Sequence, residues 1–311
     1  MTTATTTETT RRPPLIADVK RNSLDDGPGI RSVVFFKGCP LRCSWCQNPE
    51  TLSTRAEIQR SGDLCARCGA CQSACPVQVA RPGTDAEDPR RCQRCGRCVQ
   101  ACPQGARRLV GTPADVEDLA RLLGRDAPFY RRSGGGVTLS GGEPTVHVTF
   151  AGRLAARLAD AGIPVLLQTC GLFGWTAVGR LLLPHVTTVY FDLKLVDEKR
   201  HREATGHSNR RILANLRRLV DHSTDLLVRT PLVPGVTDDA ENLTAIAQHV
   251  RGLGLTRLAL LPYNPLWIPK RQGLAAGAGA LPYQHDRWMS DQDVARCVSL
   301  VADQGLEVVG Q

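Results

Sequence analysis

An α/β fold, an open partial barrel of six parallel strands with a small cysteine-rich insertion, is what the sequence predicts, and three observations carry it. Six short, nearly continuous apolar runs recur along the chain, stretches of helical period lie between and after them, and the segment 60–110 breaks this rhythm with eight cysteines. The runs are IRSVVFF (30–36), GVTLS (136–140), PVLLQT (164–169), TVYFDLK (188–194), DLLVRTPLV (225–233) and RLALLPY (257–263). Strands so unbroken in apolarity are buried on both faces, as in parallel sheets whose crossovers are helices. The crossovers are legible too: apolar residues recur every three or four positions in VTFAGRLAARLADAG (148–162), NRRILANLRRLVD (209–221), DAENLTAIAQHVRGLG (239–254) and SDQDVARCVSLVADQG (290–305). Six such units make a partial barrel of the TIM type, whose active site lies at the C-terminal ends of the strands.

Composition narrows the class further. With 311 residues and 42% apolar content, the chain can bury one large core plus a small satellite. Residues 1–13 are Thr-rich without apolar period and are expected to be a disordered tail. The barrel is then assigned to 14–59 and 111–311, and the inserted domain to 60–110. No run approaches the roughly 18–20 apolar residues of a membrane helix, and the N-terminus lacks the apolar core of a secretory signal, so Arg11-Arg12 is expected to be no export signal and a membrane is not an expected partner. Thirteen cysteines, eleven of them in close-spaced groups between 39 and 102, point to metal ligands kept reduced in a cytoplasm and not to a disulfide scaffold. The net charge of +9 comes from arginines scattered along helical segments, without the interleaved aromatics of a nucleic-acid platform, so nucleic acid is not an expected partner either. Only five of the 39 basic residues are lysines: Lys20, Lys37, Lys194, Lys199 and Lys270.

The cysteine spacing carries chemistry. In FFKGCPLRCSWCQNPE (35–50), Cys39, Cys43 and Cys46 form a C-x3-C-x2-C loop at the end of the first apolar run. Three thiolates can hold three irons of a [4Fe-4S] cube and leave the fourth iron open to a ligand that is not protein. Zinc is the alternative, but a closed zinc site needs a fourth ligand and none is evident nearby. Further on, SGGEP (140–144) follows a strand; its glycines, Gly141 and Gly142, allow close backbone approach to a ligand, and Glu143 can accept from an ammonium. The insertion contains CARCGACQSACP (65–76) and CQRCGRCVQACP (92–103), two copies of the bacterial ferredoxin run C-x2-C-x2-C-x3-C-P. Because the fourth cysteine of each run ligates the other cluster in such ferredoxins, one cube is assigned to Cys65, Cys68, Cys71 and Cys102 and the other to Cys92, Cys95, Cys98 and Cys75. Their expected role is electron relay.

With Trp45 just before its last cysteine, the first loop resembles the signature of radical S-adenosylmethionine (radical SAM) enzymes. The resemblance implies that the open iron chelates the amino and carboxylate groups of S-adenosyl-L-methionine. It also implies that the reduced cluster cleaves the sulfonium to a 5′-deoxyadenosyl radical, and that SGGEP is the motif on the methionine amino group. The finer resemblance, from about Ile16 to Tyr263, is to activating enzymes of glycyl radical enzymes that carry a two-cluster ferredoxin insert. It rests on DGPGIRSVVFFKGCPLRCSWCQNPE (26–50), YFDLKLVDEKRHREATGHSNRRILANL (190–216) and RTPLVPGVTDDAENL (229–243). Carried over by position, Asp192, Lys194 and Arg229 hold the cofactor carboxylate or order the site, and Asn264 lies near the cofactor.

The resemblance implies S-adenosyl-L-methionine and three [4Fe-4S] clusters as cofactors, an electron donor such as flavodoxin or ferredoxin, and a glycyl radical enzyme as partner. The chain departs from the pattern at Gln168, where the family has an acid, at Asn264, where pyruvate formate-lyase activating enzyme has a histidine, and in the Gly/Ala-rich stretch 271–288. These departures leave a second expectation open, a small-molecule epimerase or dehydrogenase acting on a sugar or aminocyclitol. In that reading Cys170, after the third strand, is the catalytic residue that donates a hydrogen atom to the substrate radical.

Overall fold

The computed structural model describes residues 13–83, 87–222, 224–274, 283 and 285–310. The Thr-rich tail, save Pro13, and much of the Gly/Ala-rich stretch lie outside the described residues.

All six apolar runs are strands. In chain order the strands are β1 (Leu15–Ser23), β2 (Arg31–Phe36), β3 (Glu57–Arg60), β4 (Arg107–Val110), β5 (Thr112–Pro113), β6 (Gly136–Gly141), β7 (Val165–Thr169), β8 (Thr188–Asp192), β9 (Asp225–Leu232), β10 (Arg257–Pro262) and β11 (Glu307–Val309). The main sheet runs β11-β10-β9-β8-β7-β6-β2-β1-β5, with β2 and β6 to β10 parallel in the expected succession and β11 added parallel to β10. The four helical patterns appear as helices Val148–Asp160, Arg210–Val220, Ala240–Gly252 and Asp291–Ala302. The last two open on N-caps that the sequence spells, Asp239 accepting from Asn242 N and Ser290 from Asp293 N.

Three strands of the main sheet escaped the apolar pattern. β1 pairs antiparallel with β2 and carries Asp18, Lys20, Arg21 and Asn22. A strand near the sheet edge with one wet face alternates, and its charges discourage further pairing. β5 and β11 are two and three residues long, too short to show a period.

The two-residue period of the strands decides what lines the barrel. Val165 and Leu167, Val189 and Phe191, Val228, Leu258 and Leu260 face the helices and join the large core, whereas Leu166, Tyr190, Leu227 and Ala259 form a separate inner cluster. By the same parity Ser140, Gln168, Asp192 and Arg229 are inner-face residues, placed toward the C-terminal ends of β6, β7, β8 and β9. A barrel interior that is apolar low down and polar at one mouth is a pocket floor.

The cysteine-rich segment stands apart from this sheet. β3 and β4 pair antiparallel, with a single further bridge from Gln59 of β3 to Leu274, and between them in sequence lie the short helices Ala70–Ser73 and Arg97–Gln100, one in each cysteine run.

Candidate active site

The C-x3-C-x2-C loop leaves the end of β2, and its backbone is held from both sides. Gly38 N and Cys39 N donate to Thr51 O at 2.7 Å and Leu52 O at 3.2 Å; Arg42 N and Ser44 N donate to Thr205 O at 2.7 Å and Ala204 O at 3.2 Å. Lys37, fully buried, donates from Nζ to Glu50 O at 2.5 Å and to Glu57 Oε2 at 2.9 Å. Lys270 reaches Gln47 O, Asn48 Oδ1 and Glu50 Oε1, each at 3.1 Å, and the Asn264 carbonyl accepts from Gln47 Nε2 at 3.1 Å. The Asn264 side chain itself accepts from Leu266 N at 3.2 Å. Lys37 and Lys270 were not read as functional, though a signal existed: with Lys194, three of the five lysines in an arginine-rich chain gather here. Trp45 packs, buried, with Leu41, Cys43, Cys170, Val233, Tyr263 and Trp267, forming the floor beneath the loop.

Burial pushes the Cys43 thiol up to about 12 and Cys46 higher still. Cys39 moves the other way because Cys170 hydrogen-bonds its sulfur; Cys170 in turn is pushed well up, first by that bond and then by burial.

Gly141 and Gly142 are required by the loop itself. Gly141 has φ +106°, and a Cβ there would stand 2.7 Å from the Phe35 carbonyl carbon; at Gly142 it would collide with the Gly38 carbonyl and stand 2.8 Å from Thr51 O. The segment crosses directly over β2 and the loop, with Gly142 N donating to Phe36 O and Glu143 N to Gly38 O, both at 2.8 Å. The Glu143 carboxylate is fully buried. It accepts from Cys170 N at 2.7 Å, Thr145 N at 3.2 Å, Thr145 Oγ1 at 2.7 Å and Thr169 Oγ1 at 3.0 Å. It therefore ties the end of β6 to the end of β7. Glu143→Ala would orphan two buried backbone donors and should cost about 2–6 kcal/mol, read as a lower urea midpoint with unchanged slope.

On the facing strands, Asp192 and Arg229 are register partners. Asp192 Oδ1 accepts from Arg229 Nη2 at 2.7 Å and Nε at 3.0 Å, and Lys194 Nζ stands 3.5 Å from Oδ2. Burial would raise the Asp192 carboxyl, but Arg229 and Lys194 outweigh it and hold it below its ordinary value. The Arg229 guanidinium lies 5.0 Å above the Tyr190 ring. Two cations around one carboxylate leave a positive surplus beside the cysteine loop. Gln168 uses its amide between Ser140 Oγ, 2.6 Å from Oε1, and Asp26 Oδ1, 3.4 Å from Nε2.

Comparison with known proteins gives this geometry its context. Residues 33–245 match the family model of the radical SAM superfamily. The choline trimethylamine-lyase activating enzyme of Oleidesulfovibrio alaskensis is 34% identical over 92% of this chain and 94% of its own length. The chain belongs to the radical SAM superfamily, among the glycyl radical enzyme activating enzymes. The trans-4-hydroxy-L-proline dehydratase activating enzyme of Clostridioides difficile is 39% identical, covering 81% of this chain and 84% of its own. The benzylsuccinate synthase activating enzyme of Thauera aromatica is also 39% identical, covering 76% and 74%. Among solved structures, Streptococcus suis SuiB bound to S-adenosylmethionine shares the fold at TM-score 0.50 and 14% identity, over 85% of this chain and 44% of that one. Radical SAM membership brings S-adenosyl-L-methionine and a [4Fe-4S] cluster, and the three loop cysteines at the end of β2 offer the donor set for it. No helix among the described residues is long and apolar enough to cross a membrane.

The insertion of this radical SAM enzyme forms two cavities of similar size. Cys65, Cys68, Cys71 and Cys102 line one, and Cys75, Cys92, Cys95 and Cys98 line the other, each of about 20 Å³. The interlacing puts the last cysteine of each run with the first three of the other. Arg67 and Arg94, at the same place in each run, take the left-handed conformation (φ 53° and 55°), and their backbone N–H groups point back at Cys65 and Cys92 sulfurs at 3.4 Å. Cys68 and Cys95 are the exposed members. A further cleft of about 290 Å³ opens beside the cluster loop, between Ser44, the segments that follow β8 and β9, including Arg200 and Glu203, and Tyr283 beyond β10.

Proposed function

We propose that this radical SAM enzyme activates a partner glycyl radical enzyme by taking a hydrogen atom from a backbone glycine of the partner. The observation that supports it most is likeness to activating enzymes over nearly the whole chain, 92% in one case. When bound and reduced, the cluster and S-adenosyl-L-methionine supply the 5′-deoxyadenosyl radical. The chain's own residues do the rest. Cys39, Cys43 and Cys46 hold the cluster on a loop that Lys37 and Lys270 fix; Gly141 and Gly142 let backbone approach the cofactor; Lys194 and Arg229, ordered by Asp192, present positive charge to its carboxylate. Trp45 and Asn264 support the same loop from below and from the side. The open cleft beside Ser44 accommodates a loop of a protein substrate.

The two cysteine-lined cavities hold auxiliary [4Fe-4S] clusters, three clusters in all, that pass single electrons inward from a donor such as flavodoxin or ferredoxin. Exposed Arg90, Arg91 and Arg97 around the second run suit an acidic donor. A cytoplasmic setting follows from the reduced thiols.

The test is anaerobic incubation of the reconstituted, reduced protein with S-adenosyl-L-methionine and the glycyl radical enzyme nearest its gene. A glycyl radical signal in electron paramagnetic resonance, with one equivalent of 5′-deoxyadenosine per radical, is the expected result; cofactor cleavage without any protein radical would overturn the proposal. In the same assay Cys170→Ala should still generate the radical, because in this reading Cys170, buried beside Cys39, orders a cluster ligand.

A further inference from the structure

One side chain belongs to both cysteine-lined cavities. Arg107, the first residue of β4, lines each of them and is the single residue they share among the described residues. Its side chain is 4% exposed, and the Glu87 side chain that anchors it is 5% exposed. Nη2 donates to the Glu87 carboxylate and to Arg81 O at 2.5 Å, which fixes the plane of the guanidinium. Nη1 is buried with no hydrogen-bond acceptor among the described residues. Arg107, a permanent cation, lines one cavity with Cys71 and the other with Cys98.

A buried guanidinium with an unused donor is costly unless something negative lies before it. A [4Fe-4S] cube with four thiolates carries net negative charge that grows on reduction, and charge and hydrogen bonds at its sulfurs set its potential. We propose that Arg107 is a shared tuning residue of the two auxiliary clusters, one fixed positive charge that stabilises the reduced form of both. An electron delivered to either cube by the external donor then meets the same bias, so the pair has no built-in trap at one end. Glu87 sets the size of this bias by partly neutralising the guanidinium.

The inference rests on the reading that the insertion holds two clusters, and that reading is checked first. A variant with Cys39, Cys43 and Cys46 all replaced by Ala should retain about eight irons per chain; about four or none would reject the two-cluster reading whatever Arg107 does. On that background, Arg107→Gln and Glu87→Gln are compared by redox titration followed by electron paramagnetic resonance. At a fixed solution potential, Arg107→Gln should lower the reduced-to-oxidised ratio of both clusters about tenfold, equivalent to roughly 59 mV for one electron. Glu87→Gln, which keeps an acceptor for Arg107, should raise the ratio. Both ratios within threefold of the parent, or both variants shifting in the same direction, would overturn the role. Should Arg107→Gln fail to load clusters, Glu87→Gln decides alone: a rise supports the tuning role and no change rejects it.

Discussion

Replacing Cys43 with alanine is expected to abolish the cleavage of S-adenosyl-L-methionine to 5′-deoxyadenosine and methionine. Cys43 is the middle ligand of a loop that offers three thiolates, it is buried, and its thiol stands next to Lys194 and Cys39. With two ligands left, the site cannot hold a cube with one open iron. Iron should fall from about twelve to about eight per chain, the remainder residing in the insertion. The same holds for Cys39→Ala and Cys46→Ala. Chromatographic detection of 5′-deoxyadenosine after reduction is the readout, and persistent cleavage by the Cys43→Ala protein would sink the assignment of the cluster to this loop.

Asp192→Ala should be strongly destabilising at the barrel mouth. It leaves Arg229 and Lys194, whose side chains are 6% and 10% exposed, facing each other without their shared counter-ion. Removing one partner of a buried ion pair costs about 3–5 kcal/mol. Cofactor cleavage should fall with it, because both cations lose their fixed orientation. The pH dependence carries a sign that packing loss alone would not. The folded Asp192 carboxyl lies below its ordinary value, so its contribution is complete above the ordinary carboxylate range, about pH 4, and disappears as pH falls through the lower folded value. The stability gap between the parent and Asp192→Asn should therefore be constant near neutrality and narrow only in acid, as urea unfolding at a series of pH values would show. A gap independent of pH down to the acid limit would mean that the carboxylate is not what holds the two cations.

The six core strands and four helices were legible because each is long enough to show its own period, and a strand buried on both faces is written as an unbroken apolar run. β1 was not legible: LIADVKRNS has no clean pattern, and it becomes a strand only because β2 offers an antiparallel edge. The insertion's two complete runs admit a crossed pairing, and each of its two cavities is lined by the last cysteine of one run with the first three of the other. The place of Glu143 in a Gly-Gly-Glu turn announces a site, but that its carboxylate meets the Cys170 amide depends on how closely β6 and β7 meet.

What the sequence determined by itself was the chemistry. Cysteine spacing, glycines that tolerate backbone contact, and charges at strand ends are local facts, each tied to a ligand type by coordination or sterics. What only the tertiary structure decided was partnership across distance. Lys37 with Glu57, Lys270 with Glu50, Asp192 with Arg229, and Arg107 between two cysteine sets are pairs whose members lie on different elements, and no local period records them. The physical reason is that a buried charge is stabilised by whatever the fold brings within a few ångströms, and that neighbour is set by strand register and loop crossing, not by sequence separation.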